Sequence, residues 1–194
     1  MYKLSITGTH GSGKTTLIEL IKRQADLNHY YFVEDGAKSC PINFTDIEFL
    51  RRNPSAEHLI TEWMVSNIKR LEIEASRHSD FLLCDRSLVD EMVYPLAILR
   101  PSPEVDYYKS MVLRWQKIFP YDHIFLAEGS PKWLNDDGKK SIDPEFQIRV
   151  QLLYPEVLKE LGMPYSILPF SVDNQEVLED RKKVILEKMR QNGG

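Results

Sequence analysis

Residues Gly8 to Thr15 read Gly-Thr-His-Gly-Ser-Gly-Lys-Thr and fit the spacing G-x-x-x-x-G-K-[ST] without a gap. The run follows an apolar stretch and opens directly onto Thr16-Leu17-Ile18-Glu19-Leu20-Ile21. Strand, glycine turn and helix, in that order, are the context in which the pattern has a mechanism. Gly8, Gly11 and Gly13 let the backbone wind so that several N–H groups face one anion. The following helix adds its positive dipole end at the same spot. The expected phosphate-binding set is Gly8, His10, Gly11, Ser12, Gly13, Lys14, Thr15 and Thr16. Lys14 would reach the outer phosphates and the Thr15 hydroxyl would hold Mg2+. Position 10 tolerates many residues, so His10 diagnoses nothing by itself. The competing reading, a chance flexible turn, does not account for the flanking strand and helix. The chain is expected to bind a nucleoside triphosphate.

At 194 residues, one domain spanning 1–194 is expected, long enough to bury about 70% of its unfolded surface. Net charge is −4 with mixed signs. The absence of a long basic tract weighs against nonspecific nucleic-acid binding. No apolar run approaches a membrane span, and the first residues read as a strand rather than a signal peptide. Cys40 and Cys84 cannot form a disulfide framework, and a reducing, cytoplasmic setting fits.

Short apolar runs alternate with long amphipathic stretches. Candidate strands are Lys3–Thr7, Tyr31–Glu34, Phe81–Cys84, His123–Ala127 and Tyr165–Pro169. The spacing of Ala56, Leu59, Ile60, Trp63, Ile68, Leu71 and Ala75 predicts a helix over about Ser55 to Ser76. Leu88 to Leu96 forms another helical stripe, with Pro95 a kink and Pro101 its end. Further helices are predicted over Val105–Phe119, from Asp143-Pro144 onward, and over Asn174–Met189. Strands separated by helices imply crossovers and a parallel sheet covered on both faces. The expected fold is α/β, a three-layer α/β/α sandwich of about five parallel strands.

Ligands of such sheets collect at the carboxyl ends of the strands. The third strand ends in Asp85-Arg86-Ser87. A carboxylate there commonly holds magnesium, and Arg86 is placed to neutralise charge on a transferring or accepting phosphate. An arginine stands where hydrolysing ATPases carry a second acid, which favours transfer over hydrolysis. GTPases are disfavoured, since no Asn-Lys-x-Asp run occurs. The second strand delivers Glu34, a candidate general base, ligand of a sugar hydroxyl or metal ligand, with Asp35 competing for the same work. A solvated acidic turn explains the same residues. Residues 128–144 form a long polar loop with a turn at Asp137-Gly138 and three lysines. It reads as a lid in which Lys139 and Lys140, helped by Arg149, fold over the triphosphate, or as a merely solvated loop. The acceptor is expected between Glu34, the segment Lys38 to Arg52, and the helix carrying Glu62, Trp63 and Asn67. Trp63 is read as core before base-stacking.

Together the glycine loop, Asp85-Arg86-Ser87 and the Pro131–Lys140 loop resemble the AAA-domain family of small P-loop kinases. That family includes ribosylnicotinamide-kinase domains of bacterial NAD-synthesis regulators, and the pattern is more distantly similar to deoxynucleoside and thymidylate kinases. The resemblance covers Lys3 to about Pro169. Glu34 falls where the family places an acid, and Lys38 where many members have arginine. Pro131, Trp133, Asp137 and Gly138 match the lid segment, and Lys140 replaces its usual arginine with a point charge. The resemblance implies an ATP- and Mg2+-dependent phosphotransferase acting on a hydroxyl or phosphate of a nucleoside-like small molecule. Lys14, Glu34, Asp85 and Arg86 would carry the chemistry, Thr15 and Asp85 the metal, and Lys140 the nucleotide. Two alternatives stand beside it: a kinase acting on a hydroxyl in DNA or RNA, with Arg51-Arg52 and Lys69-Arg70 as a basic track, and a regulator that binds ATP without transferring it.

Overall fold

In the computed structural model, which describes residues 1–42, 45–134, 143–171 and 174–193, the five apolar runs become five strands. These are β1 (Tyr2–Thr7), β2 (Tyr30–Val33), β3 (Phe81–Asp85), β4 (His123–Leu126) and β5 (Tyr165–Ile167). All neighbours pair in parallel, in the order β2-β3-β1-β4-β5. The register sets Ile6 opposite Asp85, so the glycine loop after β1 and the Asp-Arg-Ser run at the end of β3 emerge side by side.

Seven helices among the described residues cover the sheet: α1 (Lys14–Lys22), α2 (Ile47–Arg52), α3 (Pro54–Ala75), α4 (Asp90–Leu99), α5 (Pro103–Ile118), α6 (Pro144–Glu160) and α7 (Asn174–Gly193). Leu4, Ile6, Leu83 and Phe125 face one core with Leu17, Ile18 and Ile21 of α1 and Ile185 and Met189 of α7. Leu82, Cys84, Ile124 and Leu126 point the other way, into a larger core with α3, α4, α5 and α6. This is the period of two expected of a sheet buried on both faces.

On β1 the second face carries Lys3, Ser5 and Thr7, all fully buried. Each is bonded: Lys3 Nζ to Glu72 Oε2 (2.5 Å) and the Phe119 carbonyl (2.7 Å), Ser5 Oγ to the Arg86 carbonyl (2.8 Å), and Thr7 Oγ1 to Asp90. Buried polar groups are tolerated only on such terms.

Helix ends follow local chemistry. Asp143 accepts from the Glu145 and Phe146 amides before Pro144, and Ser102 accepts from the Val105 amide before Pro103. α4 continues through Pro95 to Leu99, and Arg100, at φ 63, ends it just before Pro101. α2 was not expected. Asp46 caps it, and its buried Ile47 and Leu50 are spaced for one helical face. Both cysteines are free. No helix among the described residues is long and apolar enough to cross a membrane.

Candidate active site

The turn after β1 needs glycine for two distinct reasons. Gly8 has φ 138, and a Cβ there would lie 2.1 Å from the Ala127 carbonyl oxygen. Gly13, at φ 80, is the residue that caps α1. Lys14 is the first residue of α1, yet its side chain turns back into the loop. Its Nζ donates to the Gly8 carbonyl (2.8 Å), the Thr9 carbonyl (2.7 Å) and Ser12 Oγ (3.0 Å). Burial, then the nearby Arg86 charge, bring its pKa down to about 7, with Asp90, Asp85 and Asp35 pulling the other way. Thr15 and Thr16 lie exposed at the start of α1. Thr15 Oγ1 donates to Asp85 Oδ2 at 3.1 Å.

Asp85 is buried, and its Oδ1 has no hydrogen-bond partner. Burial raises its pKa, as does the negative charge of Asp35. Among the described residues no group of three or more His, Cys, Asp or Glu side chains is gathered as a closed metal site. Magnesium ordinarily takes one or two protein oxygens and completes its shell with phosphate and water. The Thr15 hydroxyl beside a carboxylate with one unsatisfied oxygen fits that role.

Arg86 adopts φ 86. Its Nε donates to Asp35 Oδ2 and its Nη1 to Asp90 Oδ1, both at 2.9 Å. Burial opposes its charge, but Asp35, Tyr94 and Asp90 outweigh that and hold its pKa well above that of an ordinary arginine. Asp90 is the hub beneath. It also accepts from the Ser87 amide (3.0 Å), Ser87 Oγ (3.1 Å), Tyr154 OH (2.8 Å) and Thr7. The acid that meets Arg86 from the second strand is Asp35, whereas Glu34 lies exposed beside it.

His10 is held among aromatic rings. Its ring is buried against Phe146 and Tyr94, and its amide donates to Tyr94 OH (3.0 Å). It lines a cavity with Arg86, Tyr94, Ile47, Leu50, Phe146 and others, about 710 Å³ of empty space including solvent at its mouth. Its lining is mostly apolar with a few polar groups, the composition of a small-molecule site. From α3 the cavity takes Glu57, Ile60, Thr61 and Met64, not the expected Glu62, Trp63 and Asn67. Trp63 packs against the larger core, and Asn67 donates to the Gly36 carbonyl at 3.1 Å. The helix is turned so that residues 57, 60, 61 and 64 form the inward stripe.

Other fastenings of the loop come from far along the chain. Gln147 Nε2 donates to the His10 carbonyl (2.8 Å), and Tyr154 OH reaches the Gly8 carbonyl (3.2 Å). Arg181, fully buried on α7, donates to the carbonyls of Ser12 (2.8 Å), Glu128 (2.7 Å) and Pro169 (2.7 Å). Burial lowers its pKa to about 10. Arg149 contacts the Ala97 carbonyl (3.4 Å) and lines a separate polar groove with Arg51, Arg100, Glu48 and Glu104. Of the expected lid, Pro131 to Trp133 form a single 3-10 turn. The turn at Asp137-Gly138, with Lys139 and Lys140, lies outside the described residues.

A parallel 2-3-1-4-5 sheet with a glycine turn after β1 and an Asp-Arg-Ser run after β3 defines a P-loop fold of the nucleoside-kinase type. Residues 3–176 match the profile of the family described as AAA domain, and the chain belongs to that family. No curated protein shows significant sequence similarity to it. Two solved structures of deoxyadenosine kinase from M. mycoides share the fold. One, with the products dCMP and a flexible dCDP bound, gives a TM-score of 0.67 at 15% identity over 97% of this chain and 99% of that one. The other, with bound dATP, gives 0.68 at 15% identity over 98% and 100%.

Proposed function

We propose that the protein is an ATP-dependent phosphotransferase that moves the γ-phosphate to a hydroxyl of a nucleoside-like small molecule. The observation that carries this reading is the shared position of Arg86. It lies near Lys14 and Asp85 and also lines an open-mouthed, mostly apolar cavity, so a phosphate donor and an acceptor would meet at one guanidinium. Family membership and the nucleotide-bound structures of like fold support it.

In this reading the loop amides and Lys14 hold the β- and γ-phosphates. A triphosphate offers Lys14 charged oxygens in place of the loop carbonyls it now meets, which restores its proton firmly. Thr15 and Asp85 would hold a magnesium ion, which would screen the phosphate charge. Arg86, kept rigid by Asp35 and Asp90, faces the transferring group without reorganising. Glu34, exposed at the carboxyl end of β2, is the carboxylate available to take the acceptor's proton. Among the described residues, Arg86 is the only cation lining the cavity, and it is already paired. That favours an uncharged hydroxyl over an acceptor phosphate.

A second reading, a hydroxyl within DNA or RNA, draws on the groove holding Arg51, Arg100 and Arg149. Arg51 is paired with Glu48, and Glu104 lines the same groove, so its charge is mixed. Radiolabel transfer from γ-labelled ATP separates the two. Label on free nucleosides, lost in Lys14→Ala and cut at least tenfold in Glu34→Gln, is the expected result. Label on oligonucleotides alone establishes the second reading, and label on neither contradicts both.

A further inference from the structure

The acceptor cavity holds a functional group that phosphoryl transfer does not use. Glu57 lies in the first turn of α3, where an acid ordinarily faces solvent. Here it is 2% exposed and lines the cavity. Thr61 Oγ1 donates to its Oε1 at 2.8 Å, and its Oε2 is buried with no hydrogen-bond partner. The same cavity is lined by Ile47, Leu50, Ile60, Met64 and Ile98. Burying a carboxyl oxygen without a donor is costly, and nothing in the packing repays that cost. Burial lifts the acid's pKa to about 7, with Glu104 adding to the lift and the Thr61 bond opposing it. Glu91 lines the same cavity, and burial together with Asp90 raises its pKa well above normal. The unpartnered Glu57 Oε2 is thus an open hydrogen-bonding position in the lining, while the single described cation there is committed to Asp35 and Asp90.

We propose that Glu57 selects the acceptor: its Oε2 takes an N–H from an amino-substituted heterocycle, so cytosine- or adenine-type nucleosides are preferred over their oxo counterparts. An amine in that position satisfies the buried oxygen. Above about pH 7, where Glu57 is ionised, an oxo group there sets a carbonyl lone pair against its carboxylate. Sites built around a specific hydrogen bond reject analogues that lack it far more strongly than apolar pockets reject a change of size. The inference rests on reading this cavity as the acceptor site.

The test is calorimetric titration of the full chain, with magnesium and a non-hydrolysable ATP analogue, by cytidine against uridine and adenosine against inosine, in ribo and deoxy forms. At least one amino nucleoside should bind tenfold or more tightly than its oxo partner, and Glu57→Gln should reduce that ratio to threefold or less. Equal affinity of the partners in the wild type, or a preference unchanged in Glu57→Gln, overturns the proposal. An arm needing no variant replaces the amine by hydrogen: the wild type should lose tenfold, and no loss overturns the proposal. Nucleoside binding that ignores the amine leaves the acceptor reading standing and removes only the role of Glu57. Failure of every nucleoside to bind removes both.

Discussion

Lys14, Asp85 and Glu57 share one condition, an ionisable side chain in a place that penalises its charge, and each answers it differently. Lys14 is held by carbonyl dipoles and a hydroxyl. Lys14→Met should leave the fold intact, because the loop carbonyls can turn to water, but weaken Mg·ATP binding at least a hundredfold by titration calorimetry. Glu57 makes a pH prediction. Its folded pKa, about 7, lies above the ordinary value of 4.5, so the folded state holds the extra proton between those limits. The stability this contributes is complete below about pH 4.5 and is lost as pH rises through 7. The loss amounts to as much as about 3 kcal/mol. Thermal melts from pH 5 to 8 should show Glu57→Gln gaining on the wild type as pH rises. Parallel melts would contradict the assigned shift. These residues differ in how far the sequence revealed them. Gly8 to Thr15 could be read directly because the whole motif is local. Asp90, Gln147 and Arg181 could not, since each meets partners across the fold: Arg181 joins Ser12, 169 positions away. The acidic pair after β2 was visible, but only the packed chain shows that Asp35, not Glu34, meets Arg86.

At the scale of elements, strands were legible as short apolar runs, as in β3, and long helices as apolar residues recurring at three- and four-residue steps, as in α3. The rotation of α3 was not. Its apolar positions spread widely around the helix, and Leu59, counted in the apolar stripe, is 58% exposed. The six-residue α2 is too short to show a period, although Asp46 and the Ile47–Leu50 spacing signal it. α7 reads as an ordinary amphipathic helix, yet through Arg181 it ties the glycine loop to the segments after β4 and β5. Lysine cannot span three carbonyls with a planar fork. Arg181→Lys should therefore lower the melting temperature and weaken Mg·ATP binding about tenfold or more, although no residue of α7 belongs to the motif. A stability loss with unchanged nucleotide affinity would make the clamp purely structural.

The whole molecule divides its polar burial between the two ends of β1. At the carboxyl end, charges converge on the site. At the amino end, Lys3 and Glu72 form a sealed pair, with Trp115 Nε1 also donating to Glu72 Oε2 at 2.9 Å. Breaking a buried pair strands a charge. Lys3→Met should cost about 3–5 kcal/mol, a fall in melting temperature on the order of 10 °C for a domain this size. Adding Glu72→Leu should recover most of it. The central claim is that one chain seats a polyphosphate and an acceptor so close that both meet Arg86. A bisubstrate compound, adenosine joined through a polyphosphate to a nucleoside, tests it most directly by calorimetry with magnesium. Linking two occupied sites raises affinity by roughly 10²–10⁴ over either part. The account predicts binding at least a hundredfold tighter than ATP, with the gain lost in Lys14→Met; affinity no greater than that of ATP would contradict it.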